Sequence, residues 1–420
     1  MTRSLSIAAL SRTTYWHGMR GGMDVHGKLL SQGLTARGHR VVFISTSHPS
    51  GKTREAIGGV EIHYLKNTVF GSRRQGWAEE SVHALEAMHR KDPFDLIWSQ
   101  SYDGFGVTRT SGAARQIPML STLHGSIQQE YTSFLANIGR VWTQPLHLLR
   151  AFSGLFYSYF MTQKPVLRHS RGIVTVSRRV SEDLGRWFGR SVAGKCKTIY
   201  NGVDIERFRP DAEGRHSVRR RYAIREHEAV LLTLGRITRE KGHHLLIEAL
   251  ETLRRSMPDI RLMVVGGGES LDRLKAAASR LGLSESVVFT GPVDNAETAS
   301  YYNASDIFVF PTLTVEGLPF VVLEAMACGK PVIASEIGGT VEAIRDGENG
   351  ILIRPGDTPA MARQIAALIH DRNWAERLGR AAEATVRRDF DIERMIERTE
   401  QEMITIAEES LPPSAMRPGS

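Results

Sequence analysis

Cysteine is nearly missing from this chain of 420 residues: Cys196 and Cys328 are the only two, and neither lies in a Cys-x-x-Cys or Cys/His spacing. A disulfide framework and a cysteine-built zinc site are therefore excluded, and a reducing cytoplasmic compartment fits. No apolar run reaches the roughly 18 residues that a membrane-spanning helix needs, so none is expected. The opening Met1-Thr2-Arg3-Ser4 leads into an apolar run at 5–10 that is too short for a signal sequence with its cleavage site, and it reads as the first strand. Aromatic residues make up only 7% and do not interleave with a basic stripe, so no nucleic-acid partner is expected. At 41% hydrophobic and 24% charged, the chain also lacks the composition of disorder.

What is present fits two domains, because the length exceeds what one hydrophobic core usually covers. The net charge of +8 and pI of about 9.6 invite anionic partners such as phosphates or anionic lipid, or else describe an ordinary arginine-rich solvated surface. Short β-rich runs alternate with amphipathic segments throughout, the sign of parallel α/β architecture. Strands are expected at 5–10, 41–45, 60–65, 95–98, 119–123, 172–176 and 197–199. A second series follows at 229–234, 260–265, 286–290, 306–311, 331–334 and 350–353. The charged, strand-poor stretch 205–228 between them reads as a linker, dividing the chain into domains 1–205 and 206–388. Helical segments at 358–370, 373–388 and 392–407 close the chain. Residues 126–171 break the pattern with a concentration of aromatics, including Trp142, Phe152, Phe156, Tyr157, Tyr159 and Phe160. Such a segment suits helices packed on the first domain, or a surface that meets a membrane or an acceptor.

Open parallel sheets bind ligands beyond the carboxyl ends of their strands, and the candidate residues gather there. Gly21-Gly22 leads into a helix whose bare amides suit a phosphate, although such a turn alone is equally a tight turn. The run 119–123 delivers His124, which is as readily a structural histidine, and the run 172–176 delivers Ser177. After the run 229–234 come Gly235-Arg236 and then Lys241-Gly242 at a helix start. Arginine binds a diphosphate as a fork and lysine as a point charge, and the bland alternative is two solvated cations. After the run 306–311, Glu316-Gly317-Leu318-Pro319 leads to Glu324, a Glu-x7-Glu element in which Pro319 opens a helix. The loop amides of Gly317, Leu318 and Phe320 would be free for an anion or hydroxyls, and the carboxylates suit sugar and ribose hydroxyls. A glycosidase acid/base pair is the other use of two carboxylates, but it would leave the neighbouring arginine and lysine idle.

In order and spacing these motifs resemble family 4 of the retaining glycosyltransferases, which have the GT-B fold. The resemblance runs through Gly21, Gly22, His26, Leu30, Leu34 and Gly38-His39, then His124-Gly125 and Val176-Ser177. It continues through Tyr200-Asn201-Gly202-Val203-Asp204, Gly235-Arg236, Lys241-Gly242, Val265-Gly266-Gly267-Gly268, Phe310-Pro311-Thr312, the Glu-x7-Glu element and Gly338-Gly339 before Glu342. It implies two Rossmann-like doubly wound domains facing across a cleft, with the helix at about 389–410 returning to the first.

By the same resemblance Arg236 and Lys241 hold the donor diphosphate, Glu324 the ribose, Glu316 a sugar hydroxyl, and the Gly22 amide a phosphate. His124 would meet the transferred sugar near its anomeric carbon, the base would lie near Gly291-Pro292-Val293, and Ser177 and Asn201 would face the acceptor. The departing phosphate oxygen would take the acceptor's proton on the same face, so no side-chain base, metal or cofactor is expected beyond the nucleoside diphosphate sugar. The family commonly has Glu-Gly-Phe-Gly-Leu-Pro where this chain has Glu316-Gly317-Leu318-Pro319, which leaves the loop's amide contacts and the sugar preference open. A hexosyltransferase serving cell-surface polysaccharide or glycolipid synthesis is the leading expectation, with a glycan or lipid-linked acceptor, at the cytoplasmic side and in peripheral contact with anionic membrane. A nucleotide-sugar epimerase of the same fold, or a non-catalytic sugar- or nucleotide-binding protein, are the alternatives.

Overall fold

The computed structural model describes residues 3–18, 21–73, 75–125 and 156–410. The chain forms two compact units, residues 1–200 with 393–420, and residues 201–392. The first contains β1 (Ser6–Leu10), β2 (Arg40–Thr46), β3 (Arg54–Ile57), β4 (Val60–Leu65), β5 (Leu96–Gln100), β6 (Met119–Leu123), β7 (Gly172–Thr175) and β8 (Cys196–Thr198). Their order is β3-β4-β2-β1-β5-β6-β7-β8. Every pairing is parallel except that of β3 with β4. β3 has no counterpart among the runs expected from sequence, because Arg54-Glu55-Ala56-Ile57 is a mostly exposed edge strand with no apolar face to reveal it. The central strands read as near-continuous apolar runs because helices cover both faces of a parallel sheet, and β1, β2, β5 and β6 are buried almost throughout.

The second unit contains β9 (Ala229–Leu234), β10 (Ile260–Val265), β11 (Val287–Gly291), β12 (Ile307–Phe310), β13 (Val332–Ser335) and β14 (Ile351–Ile353). These pair in the order β11-β10-β9-β12-β13-β14, all parallel. The chain leaves β9 in one direction and resumes at β12 on its other side. The carboxyl ends of this adjacent pair are the general ligand position of such sheets.

The unit boundary falls between Tyr200 and Asn201, ahead of the stretch read as a linker. That stretch instead contains the helix Ala212–Arg221, an integral part of the second unit. Its Arg215 and Arg219 both grip Asp306, just before β12, at 2.9 and 2.8 Å, and Arg219 is buried. Part of the charge in the stretch read as a linker thus forms an ion-pair cluster within the second unit.

The final helix, Ile392–Glu409, packs within the first unit through Met395, Ile396, Met403 and Ile406, apolar at helical spacing. Gly33 has no side chain because Ile396 fills that space. His39 accepts the Leu5 amide at Nδ1, so its Nε2 donates to Glu400 at 2.8 Å, and Arg37 reaches the same carboxylate at 2.6 Å. Among the described residues no helix is long and apolar enough to cross a membrane. Of the aromatic stretch 126–171, residues 126–155 lie outside the described residues. The rest includes the π-helical turn Ser158–Gln163 and the helix Lys164–His169.

Candidate active site

In the second unit the groups picked out by sequence converge on the strand pair β9 and β12. Lys241 ends the 3-10 turn Arg239–Lys241, and Gly242 then starts the helix His243–Arg254. Gly242 has φ 73°, and a Cβ there would overlap the Pro311 carbonyl oxygen at the end of β12. Only glycine satisfies both demands. Leu313 donates its amide to the Glu240 carbonyl at 2.8 Å, so backbone ties join the lysine turn to the loop after β12. The result is an ion pair: Lys241 Nζ lies 2.7 Å from Glu316 Oε1, each side chain being 18% exposed. Thr312 donates its hydroxyl to the same oxygen at 3.2 Å.

Arg236 is exposed, and its guanidinium has no ion-pair partner among the described residues. Its carbonyl meets His243 Nε2 at 3.2 Å, while His243 Nδ1 meets Thr233 Oγ1 at 3.2 Å. Burial pushes the His243 pKa down to about 4, so a neutral ring fixes the backbone that presents Arg236. His243 was missed at the sequence level, although a histidine directly after Gly242 was a signal for it.

The loop Glu316–Pro319 is shaped from behind. Gly339 donates its amide to the Glu316 carbonyl at 2.8 Å, and a Cβ on Gly339 would overlap the Gly317 carbonyl oxygen. Among the described residues the amides of Gly317, Leu318 and Phe320 donate to no acceptor. Pro319 caps the helix Phe320–Ala327, which carries Glu324. Glu324 is buried and accepts the Tyr302 hydroxyl at 2.7 Å. Burial raises its pKa, while Tyr302 and the charge of Arg207 act in the opposite direction. Tyr302 is a second residue sequence reasoning did not find, since its partner lies far along the chain. Val293 sits half-buried just beyond β11.

Asn201 belongs to this second unit and is buried. Its Nδ2 donates to the Leu318 carbonyl at 2.7 Å, which ties it to the glutamate loop, while its Oδ1 has no hydrogen-bond partner among the described residues.

The first unit presents its residues differently. Gly22 begins the helix Gly22–Ala36, and its amide has no acceptor among the described residues; Asp24 accepts the Gly21 amide at 3.2 Å. His124, beyond β6, contacts Gln100 Oε1, at the end of β5, through Nε2 at 3.0 Å. The orientation assigned to the Gln100 amide places the ring proton on Nε2 and leaves Nδ1 as a lone-pair acceptor. Burial lowers the His124 pKa to about 3, and the His26 ring packs edge-on at 4.6 Å. Ser177 is fully buried, and its hydroxyl accepts the Val180 amide as the cap of the helix Arg178–Phe188.

A cavity of about 320 Å³ also exists in the second unit, lined by Ala229, Ile307, Pro331, Lys330 and Arg215 among others. It lies at the amino ends of β9, β12 and β13, away from the loops that carry the charged pair. Among the described residues no cluster of three histidine, cysteine or acidic side chains could hold a metal ion.

Residues 215–385 match the family described as glycosyl transferases group 1, and residues 20–207 match glycosyltransferase family 4. A GDP-mannose-dependent α-(1-6)-phosphatidylinositol monomannoside mannosyltransferase from Mycolicibacterium smegmatis is 37% identical over 213 residues, 49% of this chain and 55% of that protein. The chain thus spans about half the length of the first curated relatives it matches. A glycogen synthase from Mycobacterium tuberculosis is 27% identical across 88% of both chains. The solved sucrose-phosphate synthase from Thermosynechococcus elongatus superposes with a TM-score of 0.79 at 24% identity, covering 96% of this chain and 99% of the other, and shares its fold. With both halves matched by family models and a GT-B fold, the chain belongs to the family 4, group 1 glycosyltransferases.

Proposed function

We propose that the chain transfers a hexose from a nucleoside diphosphate sugar to a glycan or lipid-linked acceptor with retention of anomeric configuration. The observation that carries this reading is the Lys241–Glu316 pair beside Arg236 and three unengaged loop amides, at the carboxyl ends of β9 and β12. Two cations and unengaged loop amides suit a dianionic diphosphate and the charge that grows on it as the sugar leaves. In this reading Glu324 takes the ribose hydroxyls, and Glu316 a hydroxyl of the sugar once donor has claimed Lys241. His124, neutral with its Nδ1 lone pair free, offers an acceptor for a sugar hydroxyl. Neither carboxylate stands as a free base, which favours proton transfer from the acceptor to the departing phosphate oxygen. The names of the relatives, one GDP-mannose-dependent and one a glycogen synthase, support a nucleotide-sugar donor.

The test is a thermal-shift panel with UDP, GDP, ADP, CDP and TDP on the wild type and on an Arg236→Ala/Lys241→Ala variant. A ligand at about a hundred times its Kd adds roughly 2.7 kcal/mol of stability. Stabilisation of the wild type alone by one nucleotide supports the site and names the base. Equal stabilisation of both proteins refutes the phosphate assignment.

Peripheral membrane contact has its own support. Phe156, Tyr157, Phe160, Met161 and Trp187 are exposed, and Lys164 lies 5.2 Å from the Phe160 ring. Exposed aromatics beside cations suit an anionic bilayer surface. Vesicles rich in anionic lipid should carry the protein down on sedimentation at low salt; recovery in the supernatant would remove this part of the reading.

A further inference from the structure

In the structure one carboxylate already occupies the lysine assigned to the diphosphate. Lys241 Nζ and Glu316 Oε1 are 2.7 Å apart and mostly shielded from solvent, and the Thr312 hydroxyl holds the same carboxylate oxygen. The backbone bond from Leu313 to Glu240 and the close approach of Gly242 to Pro311 keep the two loops together. The pair is therefore preformed by the fold, not an accident of two long side chains meeting.

We infer that Glu316 is a product-release latch: when no sugar is bound it competes with the nucleoside diphosphate for Lys241. This rests on the reading of Lys241 as the diphosphate's partner. An ammonium at this depth cannot neutralise both groups at once, and a carboxylate left beside a diphosphate repels it. While the donor's sugar is in place, its hydroxyl gives the carboxylate another partner and the competition is relieved. After transfer that partner leaves with the acceptor, the carboxylate returns to Lys241, and the spent diphosphate loses its cation. The same glutamate thus favours the loaded donor over the bare product without an added residue.

The signature is an inversion: removing a charge from the site should tighten product binding. Calorimetric titration with UDP, GDP and ADP in turn identifies the nucleotide bound by the wild type. Glu316→Gln should bind that free diphosphate about threefold to tenfold more tightly, the range expected when a partly exposed competing ion pair is lost. Lys241→Met should bind it about tenfold or more weakly, and the double variant no more tightly than Lys241→Met. Glu316→Asp, which withdraws the carboxylate without deleting it, should fall between wild type and Glu316→Gln and guards against a folding defect in either. If Glu316→Gln binds no tighter while Lys241→Met weakens, the latch is wrong and the phosphate site stands. If Lys241→Met binds as the wild type does, the phosphate reading itself fails and the latch falls with it.

Discussion

The strand ends of the two sheets solve the same problem by different means. In the second unit the loops after β9 and β12 are set by backbone pressed on backbone: Gly242 against Pro311, Gly339 against Gly317, and the Leu313 amide on Glu240. The buried side chains of His243 and Asn201 add ties to this backbone frame, and Arg236, Lys241 and Glu316 present charge from it. In the first unit the shape is held by buried polar side chains. His124 rests on Gln100 and against His26, and burial drives both imidazoles to the neutral form, His124 to about 3. One end is thus a charged surface on a rigid backbone, and the other a set of uncharged hydrogen-bonding groups.

The contrast breaks most forcefully at Gly339. Its backbone is ordinary, at φ −77° and ψ −6°, so alanine brings no dihedral strain and the substitution isolates steric contact. Gly339→Ala should destabilise the protein by about 3 kcal/mol, the upper part of the usual cost of overpacking. The glutamate loop has to move if the methyl is to fit, so stabilisation by the nucleotide should be lost as well. Chemical denaturation with and without nucleotide checks both. A variant with unchanged stability and an intact nucleotide response would show that the loop is not backbone-built.

A smaller effect should separate the two glutamates of the second unit. Glu316 is paired with a cation, whereas Glu324 is buried with a tyrosine hydroxyl as its hydrogen-bond donor, and its pKa is raised by burial above 4.5. A carboxyl whose folded pKa is raised adds stability that is fully present below the unfolded value and is lost as pH rises through the folded value. At neutral pH the charged form is therefore a burden on the fold. Glu324→Gln should melt higher than wild type at pH 7 to 8, with the gap closing as pH falls towards 4.5. On the proposed reading of Glu324 as the partner of the ribose, it should also bind nucleotide about tenfold more weakly, a charged acceptor having become a neutral one. A variant that melts lower at every pH would place the stabilising role of the carboxylate above its cost.

Both the fold class and the positions of the site loops were legible in the sequence because parallel sheets leave apolar runs with functional groups at their ends. The Glu-x7-Glu element, Lys241 and Arg236 carry their placement in local spacing. What was not legible depends on contacts between distant segments. Nothing local announces that the Asn201 side chain holds the Leu318 carbonyl, 117 residues away. His243 and Tyr302 act through partners that only the folded sheet brings close. The stretch 205–228 misled because charge density looks the same whether it faces water or, like Arg219, is buried against Asp306. β3 was hidden for the converse reason, being a strand without a buried face.

The smallest effect bears on the first unit's last candidate. Ser177 lies at the carboxyl end of β7, where a hydroxyl could serve a ligand, but it is fully buried and caps the helix Arg178–Phe188 by accepting the Val180 amide at 3.3 Å. A cap of this kind is worth about 1 kcal/mol, and its loss should show as a small fall in stability. Ser177→Ala should therefore cost about 1 kcal/mol and leave the KM for acceptor unchanged, whereas an acceptor contact would raise KM with stability little altered. Ser177→Asp separates the two roles further, since aspartate can cap a helix but adds a charge and a longer reach. If it restores the stability lost in Ser177→Ala with unchanged transfer, the hydroxyl serves the helix alone. If transfer falls while the melting temperature recovers, Ser177 reaches the acceptor after all, and the first unit's strand ends share the exposed presentation of the second.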